Sequence, residues 1–149
     1  MSSTFDHLSL LPLGGVGRIG MNAMLLGAHP QAVARPDDPK LLLDCGVMFP
    51  EDDVFGIDLV LPSLEVLRQH AAGIQAIVIT HGHEDHTGGL AYLLRELEFP
   101  IYGSALTLGL ARNRIEEAGL LERTQFIPVV DGERRMIGPF DVEFIPVTH

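Results

Sequence analysis

Six consecutive residues constrain this chain more than any others: His81, Gly82, His83, Glu84, Asp85 and His86. They follow directly on Ile74–Thr80 (IQAIVIT), a β-branched apolar run bounded by Gly73, which predicts a strand. Alternate residues of extended backbone share a face, so His81 and His83 can reach one metal ion. Asp85 and His86 come after the chain turns and can address a second. Two ions about 3.5–4 Å apart clamp a phosphoryl or acyl centre and activate the attacking water. Histidine and carboxylate donors without a thiolate suit Zn²⁺ or Mn²⁺. A solvated loop with accidental histidines is the bland alternative. Against it, three of the chain's seven histidines fall in these six residues, at a strand tip. Thr87-Gly88-Gly89 then lets a helix start tight against the site.

The surrounding pattern predicts a mixed α/β layered fold. Leu8–Leu13 reads as a short strand, the glycine-rich stretch Gly14–Gly20 as a turn, and Met21–Gly27 as a second apolar run. After a Pro- and Asp-rich loop (His29–Pro39), Lys40–Cys45 (KLLLDC) reads as a buried strand with Asp44 near its end. A long acidic loop, Gly46–Pro62, follows, and Ser63 is placed to cap a short helix through about His70. Beyond the histidine cluster, the sequence predicts a helix over about Gly89–Glu98 and a strand at Phe99–Tyr102. Ser104 is placed to cap a longer helix to about Ala118. Three strands are predicted at Thr124–Val130, Arg134–Ile137 and Val142–Val147.

Composition sets outer bounds. A chain of 149 residues, 46% hydrophobic and 20% charged, can bury a core. One cysteine excludes an intramolecular disulfide framework and a four-thiolate zinc site. No apolar run approaches the roughly 18 residues a membrane helix needs. MSSTFDHLSL lacks the pattern of a secretory signal, so the expected compartment is the cytoplasm. Ten basic residues against twenty acidic ones, a net charge of −10, argue against a simple nucleic-acid-binding module. They leave nucleic acid open as a substrate, because metal ions can supply local positive charge.

His81-x-His83-x-Asp85-His86 is the HxHxDH signature of the metallo-β-lactamase superfamily. The stretches LPLGGVGRIGMN, LLLDCGVMFPEDDVFGIDLVLPS, IVITHGHEDHTGGLAYLL, PIYGSALTLGL and IPVTH resemble something narrower, the ribonuclease J family of β-CASP nucleases, from about Leu11 to His149. That resemblance implies half of an αββα sandwich, incomplete at its C-terminal side. Residues 1–149 would be the N-terminal part of a metallo-β-lactamase domain, with β-CASP and C-terminal domains absent. It further implies two Zn²⁺ per complete site, with Mn²⁺ as the other candidate. His81, His83 and His149 would hold one ion, and Asp85 and His86 the other. Asp44 would orient the metal-site loop without binding metal. Asp85 and His86 would be the catalytic residues of a 5′-to-3′ exonuclease and endonuclease acting on RNA in mRNA decay and rRNA maturation. The intact protein would be a homodimer or homotetramer. The sequence departs from the family at Arg18, where relatives carry Glu in GGxGEIG.

The family's bridging carboxylate, last metal histidine and phosphate-binding residues have no counterpart here, so the 149-residue chain alone is expected to be inactive. Two rival readings stay open: another hydrolase of the superfamily acting on a thioester or lactone, and a non-catalytic remnant binding at most one metal ion. Gly15, Gly17 and Gly20 match a dinucleotide-binding fingerprint, but no crossover helix follows, so they are read as a tight turn between strands. Cys45 is read as a buried apolar residue. Asp52 and Asp53 are read as rim or solvated acids, and Arg134 and Arg135 as solvent-facing. His7, His29 and His70 receive no role.

Overall fold

A computed structural model describes residues 5–50 and 56–148. Asp52, Asp53 and His149 lie outside the described residues. Eight strands, β1 (His7–Gly14), β2 (Ala23–His29), β3 (Lys40–Leu43), β4 (Ile74–Val78), β5 (Ile101–Ser104), β6 (Phe126–Val129), β7 (Arg134–Ile137) and β8 (Phe140–Glu143), form two sheets among these residues. β1 to β6 lie side by side in chain order, and β7 pairs with β8 in a separate hairpin. The first three strands are antiparallel, and β3 to β6 run parallel.

Parallel neighbours need crossovers. α1 (Leu64–His70) links β3 to β4, α2 (Glu84–Thr87) and α3 (Leu90–Leu93) link β4 to β5, and α4 (Ala105–Glu117) links β5 to β6. Serine caps start two of these helices: the hydroxyl of Ser63 accepts from the Val66 amide and that of Ser104 from the Thr107 amide. The sheet edges are β1 and β6, and each carries a proline, Pro12 and Pro128. Proline removes a ladder donor, which an edge strand tolerates and which discourages further pairing.

Strand alternation sorts side chains to two faces. Leu25, Leu42, Ile77, Ile79 and Ile101 pack with Leu67, Leu90, Leu93, Leu108 and Ile115 from the helices. On the opposite face Ala28, Leu41, Ala76 and Val78 meet Ile137 and Phe140 of the hairpin. The layers are therefore helices, a six-stranded sheet, and a two-stranded hairpin on the sheet's other face. This is the expected α/β architecture, one helix-covered sheet with a second, two-stranded sheet on its other face.

Two predicted elements change. The helix expected over Gly89–Glu98 begins earlier, at Glu84 inside the histidine motif, breaks at Gly88–Gly89, and ends at Leu93. The amides of His86 and Thr87 bond the His83 carbonyl, so the turn that redirects Asp85 and His86 is itself helical. The last strand starts at Phe140, because the two-residue Gly138-Pro139 turn pairs Ile137 directly with Phe140. Lys40 is buried with an ammonium that donates to the carbonyls of Arg35 (2.7 Å), Pro36 (3.1 Å) and Asp38 (2.7 Å), closing the Pro-rich loop over β3. Burial lowers its pKa from the usual lysine value.

Leu42 is fully buried and Leu106 is 75% exposed. Leu42→Ala is expected to cost roughly 2–5 kcal/mol in urea unfolding. Leu106→Ala is expected to stay within about 0.5 kcal/mol of the parent.

Candidate metal centre at the C-terminal ends of β3 and β4

Parallel strands that end together present their following loops at one edge. β3 and β4 are hydrogen-bonded in parallel with Leu43 opposite Val78, so Asp44 and the Thr80–His86 loop emerge side by side. The Asp44 amide donates to the Val78 carbonyl at 3.0 Å, and its backbone takes φ +58°. A non-glycine residue there is strained by about 1–3 kcal/mol and persists only where its surroundings hold it.

The carboxylate of Asp44 is buried and fully engaged. Oδ1 accepts from the Thr80 amide (2.8 Å), and Oδ2 accepts from the Thr80 hydroxyl (2.9 Å) and lies 2.7 Å from His86 Nδ1. This network sets the tautomer of His86. Nδ1–H donates to Asp44, which leaves a lone pair on Nε2. That lone pair accepts from the Asn22 amide nitrogen at 3.0 Å. The same nitrogen is 3.1 Å from Asp85 Oδ2 and 3.1 Å from the Asp85 carbonyl. His86 Nε2 and Asp85 Oδ2 are 3.4 Å apart.

That separation bears on what the pair can hold. Two donors of a tetrahedral zinc ion, each at about 2.0–2.1 Å, stand about 3.3 Å apart. The lone pairs of His86 and Asp85 already converge on a hydrogen-bond donor, and a cation makes the same demand on them. A carboxylate on the far nitrogen of a ligating imidazole is the usual support for such a ligand. The donor set therefore fits a metal ion at Asp85 and His86.

His81 packs against both other imidazoles of the motif, with ring centroids 4.7 Å from His83 and 4.0 Å from His86. The Thr80 hydroxyl is 3.1 Å from His81 Nδ1, which ties the first histidine to the same threonine that holds Asp44. Among the described residues, no three His, Cys, Asp or Glu side chains converge as a ready-made cage. The structure thus brings His81, His83, Asp85, His86 and Asp44 to one sheet edge. His149 lies outside the described residues.

Backbone packing holds the loop in place. Cys45 N bonds the His86 carbonyl, Val47 N the Glu84 carbonyl, Asn22 N the Asp85 carbonyl and Gly46 N the Asn22 carbonyl. A Cβ on Gly46 would sit 1.6 Å from the Asp85 carbonyl oxygen, so only glycine allows this approach. Glu84 makes an ion pair with Arg114, tethering α2 to α4. The turn carrying Gly15, Gly17 and Gly20 has positive φ at all three and joins antiparallel strands, as expected for a turn without a nucleotide-binding crossover.

Sequence reasoning assigned no role to Asn22 or Thr80. Asn22 stands in GMN just after the glycine turn, more than sixty residues from its partners. Thr80 is one residue before His81, a position where a hydroxyl signals nothing without knowledge of Asp44. Arg18 is exposed in the turn.

The family model described as the metallo-beta-lactamase superfamily matches residues 26–149. Ribonuclease J of Synechocystis sp. is 46% identical over 144 residues, covering 95% of this chain and 21% of that protein. Ribonuclease J of Sinorhizobium meliloti is 40% identical over 149 residues, covering 97% of this chain and 25% of the relative. The chain spans a fifth to a quarter of the length of these curated relatives. Among solved structures, a diphosphatase from the PhnP family superposes with a TM-score of 0.54 at 20% identity, covering 91% of this chain and 56% of that one.

Cys45, the neighbour of Asp44, is fully buried, and burial together with the Asp44 charge pushes its thiol from 9.0 up to about 12. At pH 8 maleimide labelling is expected to fail on the folded chain and succeed in denaturant. The unfolded thiol ionises first, so this group's contribution to stability is intact below pH 9 and is lost as pH rises towards 12. Rapid labelling of the native chain would contradict this burial.

Proposed function

The chain belongs to the metallo-β-lactamase superfamily, and from that membership we propose that it is the metal-binding N-terminal part of a zinc-dependent ribonuclease. The observation that carries the metal assignment is the Asp44–His86–Asn22–Asp85 network, with its 3.4 Å spacing of His86 Nε2 and Asp85 Oδ2. The identity to ribonuclease J relatives supports RNA as the substrate. Cleavage activity belongs to a protein of the relatives' length, as do a cytoplasmic setting and a homodimeric or homotetrameric assembly. Residues 1–149 supply part of the metallo-β-lactamase domain.

In this reading His81 and His83 hold one ion together with His149, and Asp85 and His86 hold the other. When bound, zinc supplies Lewis acidity and brings the deprotonation of water down to about neutral pH. The chain's own residues do the orienting. Asp44 keeps the proton of His86 on Nδ1 and aims Nε2 outward. The Asn22 amide fixes the plane of the Asp85 carboxylate. Asp85 is then placed to accept a proton from, and orient, the nucleophile that attacks phosphorus.

Asp44→Asn preserves size but removes the acceptor that fixes His86. It is expected to lower zinc affinity, measured by chelator competition, by about 10–100-fold. Unchanged affinity would remove Asp44 from the site.

Substrate class is tested on a protein of the relatives' length. It should cleave 5′-monophosphorylated RNA with zinc or manganese present, and His83→Ala and Asp85→Ala should each reduce cleavage on the order of 100-fold or more. Hydrolysis of thioester or lactone substrates with RNA left intact would replace the ribonuclease reading by that of another hydrolase of the superfamily.

A further inference from the structure

At the other end of β1 and β2, seven residues along the strand from the glycine turn, His7 stands directly opposite His29 in the antiparallel register. At about 3.4 Å per residue the pair stands roughly 24 Å along the strand from that turn. Cross-strand partners point to the same side of a sheet, and the two rings stack with centroids 5.8 Å apart and an interplanar angle of 17°. His29 is 3% exposed. Its Nδ1 lies 2.5 Å from the Gln31 carbonyl oxygen, so Nδ1 carries the proton and donates, and Nε2 carries a lone pair. That Nε2 is buried and has no hydrogen-bond partner. A buried imidazole nitrogen without a partner is costly, and donation from Nδ1 to the Gln31 carbonyl holds the ring in the tautomer that creates it.

We propose that His7 and His29 form a second, two-histidine site for a divalent transition cation of the zinc, copper and nickel class. Each element of the pair has a physical counterpart in such a site. A ligating histidine commonly donates its other ring N–H to a backbone carbonyl, as His29 does to Gln31. Neutral imidazole favours zinc, copper and nickel over magnesium or calcium. The imidazole lone pairs lie in the ring planes, so the stacked rings (5.8 Å, 17°) place the two side chains within reach of one ion but require His7 to turn out of the stack to share it. His29 is the fixed ligand. His7 is exposed on the edge strand, and rotation about its side-chain bonds brings its lone pair to the ion. The same movement of His7 would open the buried Nε2 to solvent, which completes the coordination. A bound ion would join the start of the edge strand β1 to β2 and satisfy Nε2. The site is independent of the histidine motif, so it stands or falls apart from the proposed ribonuclease reading.

The test is a zinc titration of the full chain followed by long-range ¹H–¹⁵N spectra of the histidine rings. The Nε2 resonance of His29 is expected to move on addition of zinc. His7→Ala, a change at an exposed position, should weaken that response at least tenfold and leave the responses of His81, His83 and His86 unchanged. An unmoved His29 Nε2, or a His29 response indifferent to His7→Ala, would overturn the proposal.

Discussion

The carboxylate of Asp44 joins three parts of the molecule. It stands just past β3, receives the amide and hydroxyl of Thr80 just past β4, and holds the imidazole of His86 at the end of the intervening turn. Burying a carboxylate is costly unless each lone pair has a donor, and here the donors are the residues whose positions matter. The strained backbone of Asp44 (φ +58°) is the local cost of turning the carboxylate towards them. Sheet pairing of β3 with β4 makes the contact, and the contact in turn sets the tautomer and aim of His86.

Around this centre the loops meet backbone to backbone. The amides of Cys45, Val47 and Asn22 pair with the carbonyls of residues 84–86, Gly46 N bonds the Asn22 carbonyl, and Gly46 lies too close to Asp85 for any side chain. Main-chain contacts of this kind resist rotamer averaging, so Asp85 and His86 sit on a rigid support although α2 is only a single turn. The Glu84–Arg114 pair adds a tie to α4 on the exposed side, where ion pairs contribute little to stability. The rigidity comes from close packing and the satisfied hydrogen bonds.

Both ends of the sheet carry histidines, with different chemistry. At one end, imidazoles are backed by a carboxylate and stand beside Asp85. At the other, His29 is backed by a carbonyl and faces an exposed partner on the edge strand. A carboxylate behind an imidazole raises its basicity and ligand strength more than a neutral carbonyl does. The first arrangement suits a strongly held ion and the second a weaker, exchangeable one.

Much of this was legible in the amino-acid sequence. The β-branched run before His81, the serines at helix starts and the apolar run Lys40–Cys45 are local patterns, and local sterics and burial determine them. The spacing of His81, His83, Asp85 and His86 declared a cluster because strand and turn geometry act over a few residues. The helical start at Glu84 was hidden, since a single turn braced by tertiary hydrogen bonds leaves no periodicity to read. The roles of Asn22 and Thr80, and the pairing of His7 with His29, depended on strands meeting in one register. Such contacts join residues far apart in the chain, and only the folded sheet decides which side chains it brings within hydrogen-bonding distance.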